Sequence, residues 1–224
     1  IPAADAAAMT ERRGERAMRR RTAIMGGLAA ALGACAQLGG TGPQQTFRLG
    51  APADDATGPE TASRAPGRRP VVAVERPLAT GAMNTNRVVV EVGDELQYVA
   101  GARWEDAMPD LVAFRAAEAL QQTGAVDVVD AAQRAGRADY ALVTVLRRMQ
   151  VAVGADLSGE AVTEVAARLV ALPGRDVVAT ERFTGRSSAP DDAPGSLVSA
   201  IERATAEALS DLAAWAAAET APTG

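Results

Sequence analysis

The chain has 224 residues, 48% of them hydrophobic and only 3% aromatic, so Ala, Val and Leu must form most of its core. It has no His and a single Cys, Cys35, which excludes His-dependent catalytic triads, His metal sites, Cys clusters and internal disulfides. Residues 1–34 carry six Arg and three acids, whereas residues 35–224 carry 17 Arg and 25 acids. A basic start before an acidic body is typical of a targeting segment and not of nucleic-acid binding.

The amino-terminal segment has the parts of a lipoprotein signal peptide. Three consecutive Arg at 19–21 precede an apolar run, residues 22–32, which suits a signal-peptide core and is too short to span a membrane. The run ends in Leu32-Gly33-Ala34-Cys35, the form of a lipobox, in which the small residues admit the backbone to a peptidase and the thiol receives a diacylglycerol. We therefore predict lipidation of Cys35. The alternative, a Cys buried in an ordinary apolar helix, fits less well because Gly residues at 26, 27 and 33 would weaken that helix.

The predicted lipoprotein signal peptide divides the chain into four regions. Residues 1–17 are an upstream extension, since Met18 gives a conventional start, and residues 18–34 are the signal peptide. Residues 35–69 are rich in Gly, Pro, Ala and Thr and are expected to be a tether and flexible linker, with a short strand possible at 46–49. Residues 70–219 are expected to form one α+β domain.

Within that domain, short runs of β-branched residues alternate with segments whose apolar residues recur at helical spacing. Strands are predicted at 71–74, at 87–92 and 96–100 as a hairpin around Gly93-Asp94, at 126–129 and at 140–151. A helix is predicted between this hairpin and the strand at 126–129, with Trp104, Met108 and Leu111 on its apolar face.

The last third of the chain predicts a hairpin and a long helix. Residues 160–172 fit either a helix or a strand, and the turn at 173–176 favours a strand paired with residues 177–183. Asp191 or Asp192 is expected to cap a final helix with Pro194 in its first turn. The predicted fold class is α+β, a mostly antiparallel sheet of about five or six strands packed against two helices.

The order of several short motifs resembles the ABC-type transport auxiliary lipoproteins, the PqiC-like proteins. The motifs are the lipobox, Tyr98, Arg103-Trp104, Ala138-Asp139-Tyr140-Ala141-Leu142, Phe183 and Trp215, and the resemblance covers about residues 46 to 216. It implies a periplasmic accessory component that works with an ABC permease and ATPase and with an MCE-domain protein to move phospholipid or other hydrophobic molecules between envelope membranes. It implies no catalytic residues, no metal and no cofactor.

Two other functions compete with this one. The carboxylates of Glu105, Asp106 and Asp110 could in principle serve an enzyme, although a charged first helical turn explains them better. A structural envelope lipoprotein that binds peptidoglycan or an outer-membrane assembly is the second alternative. We expect no enzyme, no nucleic-acid partner, membrane attachment through the lipid, and retention at the outer membrane in preference to the inner one. A homo-oligomer is possible.

Overall fold

Nine strands form one mixed sheet, and two helices pack together against it. The computed structural model describes residues 44–50, 68–133, 137–154, 158–172 and 174–221, all of which belong to one compact unit, residues 44–224. The strands are β1 Gln45–Phe47, β2 Val71–Val74, β3 Leu78–Ala79, β4 Arg87–Val92, β5 Glu95–Trp104, β6 Asp127–Asp130, β7 Tyr140–Val153, β8 Gly159–Ala171 and β9 Asp176–Ala189. The helices are α1 Met108–Gln122 and α2 Pro194–Glu219.

Strand β7 is the centre of the sheet. Along one edge it pairs in parallel with β2, then β3, then β4, and along the other edge it pairs antiparallel with β8. Beyond these neighbours, β9 pairs with β8, β6 with β2, and β5 with β4, while the short β1 lies parallel to the end of β5. The continuous apolar run in β7 therefore reflects burial at the middle of the sheet.

The prediction of a mostly antiparallel sheet of five or six strands is wrong, because the sheet has nine strands and is mixed. Local alternation identifies a strand but not its partner. The two predicted hairpins are present as β4–β5 and β8–β9, but the rest of the sheet was also expected to be mostly antiparallel. Instead β2, β3 and β4 each pair in parallel with a different stretch of β7, far along the chain. Strand β3 has two residues, too few to produce a periodic pattern.

Two element boundaries also differ from the prediction. Trp104 is the last residue of β5 and is fully buried, whereas it was expected on the first helix, which begins at Met108. Its backbone N–H donates to the carbonyl oxygen of Asn86 (2.7 Å), which fixes it in the sheet. Strand β9 runs six residues past Phe183, because the whole of β8 is available as its partner.

In the last third of the chain, the structure confirms the strand predicted at 160–172 and the final helix. Residues 160–172 lie largely in β8, which pairs with β7 on one side and β9 on the other. The expected Asp cap is wrong, since Ala193 occupies the N-cap of α2 without a side-chain cap. Asp191 instead accepts a hydrogen bond from the backbone N–H of Ala193 (3.0 Å), just before the helix.

Helix α2 packs an apolar stripe into the core. Its buried residues include Leu197, Ile201, Ala204, Ala208 and Leu212. Near the end of the helix, Trp215 packs on Phe183 of β9 with ring centroids 5.5 Å apart. Both helices contact each other as well as the sheet.

Candidate functional site

A cleft of about 370 Å³ lies between helices α1 and α2. Its volume is in the range of small-molecule sites, which are typically about 300–1,000 Å³. Most of its surface is apolar, with apolar side chains supplied by Leu49, by Ala119 on α1 and by Ala and Leu residues on α2. The lining residues are Leu49, Gly50, Arg115, Glu118, Ala119, Gln122, Thr123, Glu202, Thr205, Ala206, Leu209, Ser210, Ala213 and Ala214.

One end of the cleft is covered by Leu49 and Gly50, which we call the strap. The Leu49 side chain is only 1% exposed, so it is part of the core. The backbone N–H of Gly50 donates to the Oε1 atom of Glu202 (2.9 Å) on α2. Arg115 on α1 donates to the carbonyl oxygen of Leu49 and also binds Glu118 (2.5 Å). The strap therefore links the two helices at the charged end of the cleft.

Some of the other polar groups of the cleft already form hydrogen bonds within the protein, and others do not. The hydroxyl of Thr205 shares a buried hydrogen bond with that of Thr163 on β8 (2.9 Å). The hydroxyl of Thr123 donates to the carbonyl oxygen of Leu120 (2.7 Å). Within the described part of the chain, the exposed side chains of Gln122 and Ser210 make no hydrogen bond. The cleft can thus hold an apolar molecule with an uncharged polar end.

The candidate residues identified from the sequence are not in this cleft. Cys35 lies outside the described residues. Glu105 binds Arg48 (3.2 Å), Asp106 accepts the backbone N–H of Ala107 (2.7 Å), and Asp110 binds Arg76. Each of these three carboxylates therefore has its own structural partner.

Arg76 shows why Asp110 is a structural residue. Its guanidinium donates to both carboxylate oxygens of Asp110 (2.6 and 3.0 Å) in the first turn of α1 and to the side-chain oxygen of Asn84 (3.0 Å). The hydrogen bond that Arg76 donates to Asp110 raises the pKa of Arg76 above the ordinary arginine value, because the carboxylate favours the charged form. This pair joins the segment after β2 to the start of α1.

No pattern in the sequence distinguishes the cleft from the core. The alanines that shape it, Ala119 on α1 with Ala206 and Ala213 on α2, continue helical stripes that otherwise pack in the core. A small residue on an apolar stripe predicts close packing as readily as an open groove. The strap was visible only as a short possible strand at 46–49.

The family model described as the ABC-type transport auxiliary lipoprotein component matches residues 51–213. The chain belongs to this family. The match confirms the resemblance drawn from the short motifs and covers the cleft except for the strap and Ala214. None of the curated proteins matches the sequence.

Solved structures share the fold of this auxiliary lipoprotein. A Xanthomonas campestris protein is 20% identical and covers 78% of this chain and 96% of its own, with a TM-score of 0.64. An uncharacterised protein is 13% identical and covers 78% of this chain and 99% of its own, with a TM-score of 0.59. A hypothetical protein of Chlamydia trachomatis is 7% identical and covers 68% and 98%, with a TM-score of 0.50. At these identities the likeness establishes the fold alone.

The residues that carried the resemblance have structural roles in this auxiliary lipoprotein. Arg87 lies over the ring of Tyr98, 3.8 Å from its centre. Asp139 accepts the backbone N–H of Val71 (2.8 Å) and pairs with Arg68 (3.2 Å), which fixes the start of β2 beside β7. In this chain, Tyr98 and Asp139 therefore help to hold the sheet together. Across the described ranges, no helix is long and apolar enough to cross a membrane, and no cluster of three or more metal-ligating side chains occurs.

Proposed function

We propose that this protein is a periplasmic accessory subunit of an ABC transport system that moves phospholipid or another hydrophobic molecule between envelope membranes. The family match over residues 51–213 carries the proposal. The partners we propose are an ABC permease with its ATPase and an MCE-domain periplasmic protein. The apolar cleft between the helices is compatible with hydrophobic cargo but is not required for this role.

We further propose that a lipid on Cys35 attaches the body to a membrane. Nine residues, 36–44, separate Cys35 from β1, and an extended chain of that length reaches about 30 Å. The body would therefore stay within about one domain diameter of the bilayer, where membrane-embedded subunits can meet it. The residues after Cys35, Ala36 and Gln37, are not acidic, which in enteric-type sorting favours the outer membrane.

The anchor is tested by the Cys35→Ser variant in cells grown with a labelled fatty acid. We expect loss of the label and release of the body into the soluble periplasmic fraction, since Cys35 is the only thiol of the chain. Ala36→Ser is the matched control, because it places the same hydroxyl one residue away, and it should keep both label and membrane attachment. A Cys35→Ser protein that stays labelled and membrane-bound would contradict the anchor.

The transport role is tested by mild cross-linking in cells and purification of the tagged protein from solubilised membranes. We expect the ABC permease and the MCE-domain protein to co-purify with the wild type and to be reduced in Cys35→Ser. Recovery of peptidoglycan or an outer-membrane assembly without any transporter subunit would instead support the structural alternative.

A further inference from the structure

The cleft between α1 and α2 has the dimensions of a narrow groove. On α2 its lining runs from Glu202 to Ala214, and twelve residues of helix rise about 18 Å. At about 370 Å³ the cleft lies at the small end of the range of ligand sites, about 300–1,000 Å³. Its volume and length suit one extended alkyl chain.

The walls of the cleft favour a hydrocarbon over a peptide. A bound peptide satisfies its backbone by pairing with free N–H and C=O groups, as at a sheet edge. The walls here are helices, whose backbone groups are bonded within each helix. The apolar side chains that line the cleft include Leu49, Leu209 and Ala213, which are buried, and Ala119 and Ala206, which are half-buried. Burial of an alkyl chain against them stabilises the complex by about 0.8 kcal/mol for each buried CH₂ group.

The charges of the cleft select the head of the ligand. Arg115 is its only cation, and this guanidinium already binds Glu118 and the carbonyl oxygen of Leu49. Glu118 and Glu202 leave the cleft with a net charge of −1, so a carboxylate, sulfate or phosphate close to them would be repelled. At the other end, Gln122 and Ser210 offer uncharged donors and acceptors.

We infer that the cleft between α1 and α2 is a binding site for a single alkyl chain that carries an uncharged polar head, with the chain along the alanine walls and the head beside Gln122 and Ser210. The inference deepens the proposed transport function and rests on it for its biological meaning. The binding itself is a property of the folded domain and is testable without any partner.

The test uses the full chain with Cys35→Ser, titrated with 1-decanoylglycerol and, separately, with decanoate, each below its micelle concentration. Binding is followed by NMR amide shifts. We expect saturable shifts at residues lining the cleft with the glycerol ester and at least tenfold weaker binding of decanoate. No saturable shifts in the cleft, or equal binding of the two probes, would overturn the inference.

Two variants fill the cleft from opposite sides. Ala119→Phe and Ala206→Phe each place a ring in the groove at a half-buried position, so both should weaken binding of the glycerol ester at least tenfold. Ala218→Phe is the matched control, because Ala218 is exposed on α2 outside the cleft, and its affinity should match the parent. Unchanged affinity in both filled variants, confirmed as folded by their NMR spectra, would place the ligand elsewhere.

A third variant tests the charge argument without altering the shape of the cleft. Glu202→Gln keeps an oxygen to accept the Gly50 N–H but removes one negative charge. We expect decanoate to bind several-fold more tightly to this variant while the glycerol ester keeps its affinity. If decanoate binds this variant no more tightly than it binds the parent, the charge argument is wrong. Because no transporter subunit is present, failure here is distinct from failure of the co-purification experiment.

Discussion

Gly185 on β9 shows how a single residue sets the contact between the sheet and α2. A Cβ atom at this position would lie 1.9 Å from the carbonyl oxygen of Ala204 and 2.9 Å from the backbone nitrogen of Ala208. These are helix backbone atoms, which cannot move aside as the end of a flexible side chain would. The absence of a side chain therefore allows the helix to lie directly on the strand.

We predict that Gly185→Ala destabilises the protein by about 1–3 kcal/mol or more, because the helix must shift away from β9. Gly195→Ala is the matched control. Gly195 lies in the first turn of α2 with open space around its Cα, so the change should be neutral or stabilise by up to about 1 kcal/mol. Urea denaturation of both variants measures the two effects. Equal stability of Gly185→Ala and the parent would contradict the close contact.

The buried hydroxyl pair of Thr163 and Thr205 gives a second prediction at this scale. The two hydroxyls bond only to each other (2.9 Å) among the described residues, and both side chains are almost fully buried. Thr163→Val should cost about 1–3 kcal/mol, because it leaves the Thr205 hydroxyl without a partner. The double variant Thr163→Val/Thr205→Val should recover most of that loss. A double variant whose loss equals the sum of the single losses would show that the pair is not coupled.

Among the secondary-structure elements, β9 is a long edge strand whose outer side is partly protected by α2. Arg203 donates to the Ser187 hydroxyl (2.8 Å) and to the Ser188 carbonyl oxygen (2.9 Å). Glu207 accepts the backbone N–H of Arg186 (2.8 Å). At the other end of β9 the ladder with β8 is interrupted by a bulge near Val178, which also discourages pairing with another chain. The helix and the bulge therefore hinder pairing with another chain at opposite ends of the β9 edge.

We predict that Arg203→Ala/Glu207→Ala increases aggregation on heating while changing the free energy of unfolding by less than about 1 kcal/mol, since both groups are exposed. Light scattering during a thermal ramp measures aggregation. Asp211→Ala is the control, because it removes an acid from the exposed face of α2 without touching β9. Aggregation equal to that of the control would show that these side chains do not protect the edge.

Several of the elements could be predicted from the sequence, whereas the pairing between distant strands could not. Strands β2, β4 and β7 follow from β-branched runs, and α2 follows from its apolar stripe, because these patterns are local. The parallel pairing of β2 and β4 with β7 depends on contacts between distant segments, which no local pattern records. For the same reason the cleft could not be predicted, since it exists only where the two alanine-bearing faces meet.

At the scale of the whole molecule, the segment 44–50 is part of the folded body even though residues 51–70 separate it from β2. Phe47 is the register partner of Trp104, and Leu49 is buried in the core. The family match begins at residue 51, so this segment lies outside it while supplying both β1 and the strap of the cleft. The stability of the body should therefore depend on a residue that precedes the matched region.

We predict that Leu49→Ala in the full chain with Cys35→Ser lowers the free energy of unfolding by about 2–5 kcal/mol, because it leaves a cavity in the core. Leu78→Ala is the matched control, since Leu78 on β3 is 67% exposed, and its effect should stay within about 0.5 kcal/mol. Urea unfolding is followed by far-UV circular dichroism and by tryptophan fluorescence in a Trp215→Phe background, which leaves Trp104 beside β1 as the only tryptophan. The two signals should shift together in one transition, because the segment and the body share one core. A separate early fluorescence change, with circular dichroism unaltered, would instead show that residues 44–50 detach independently.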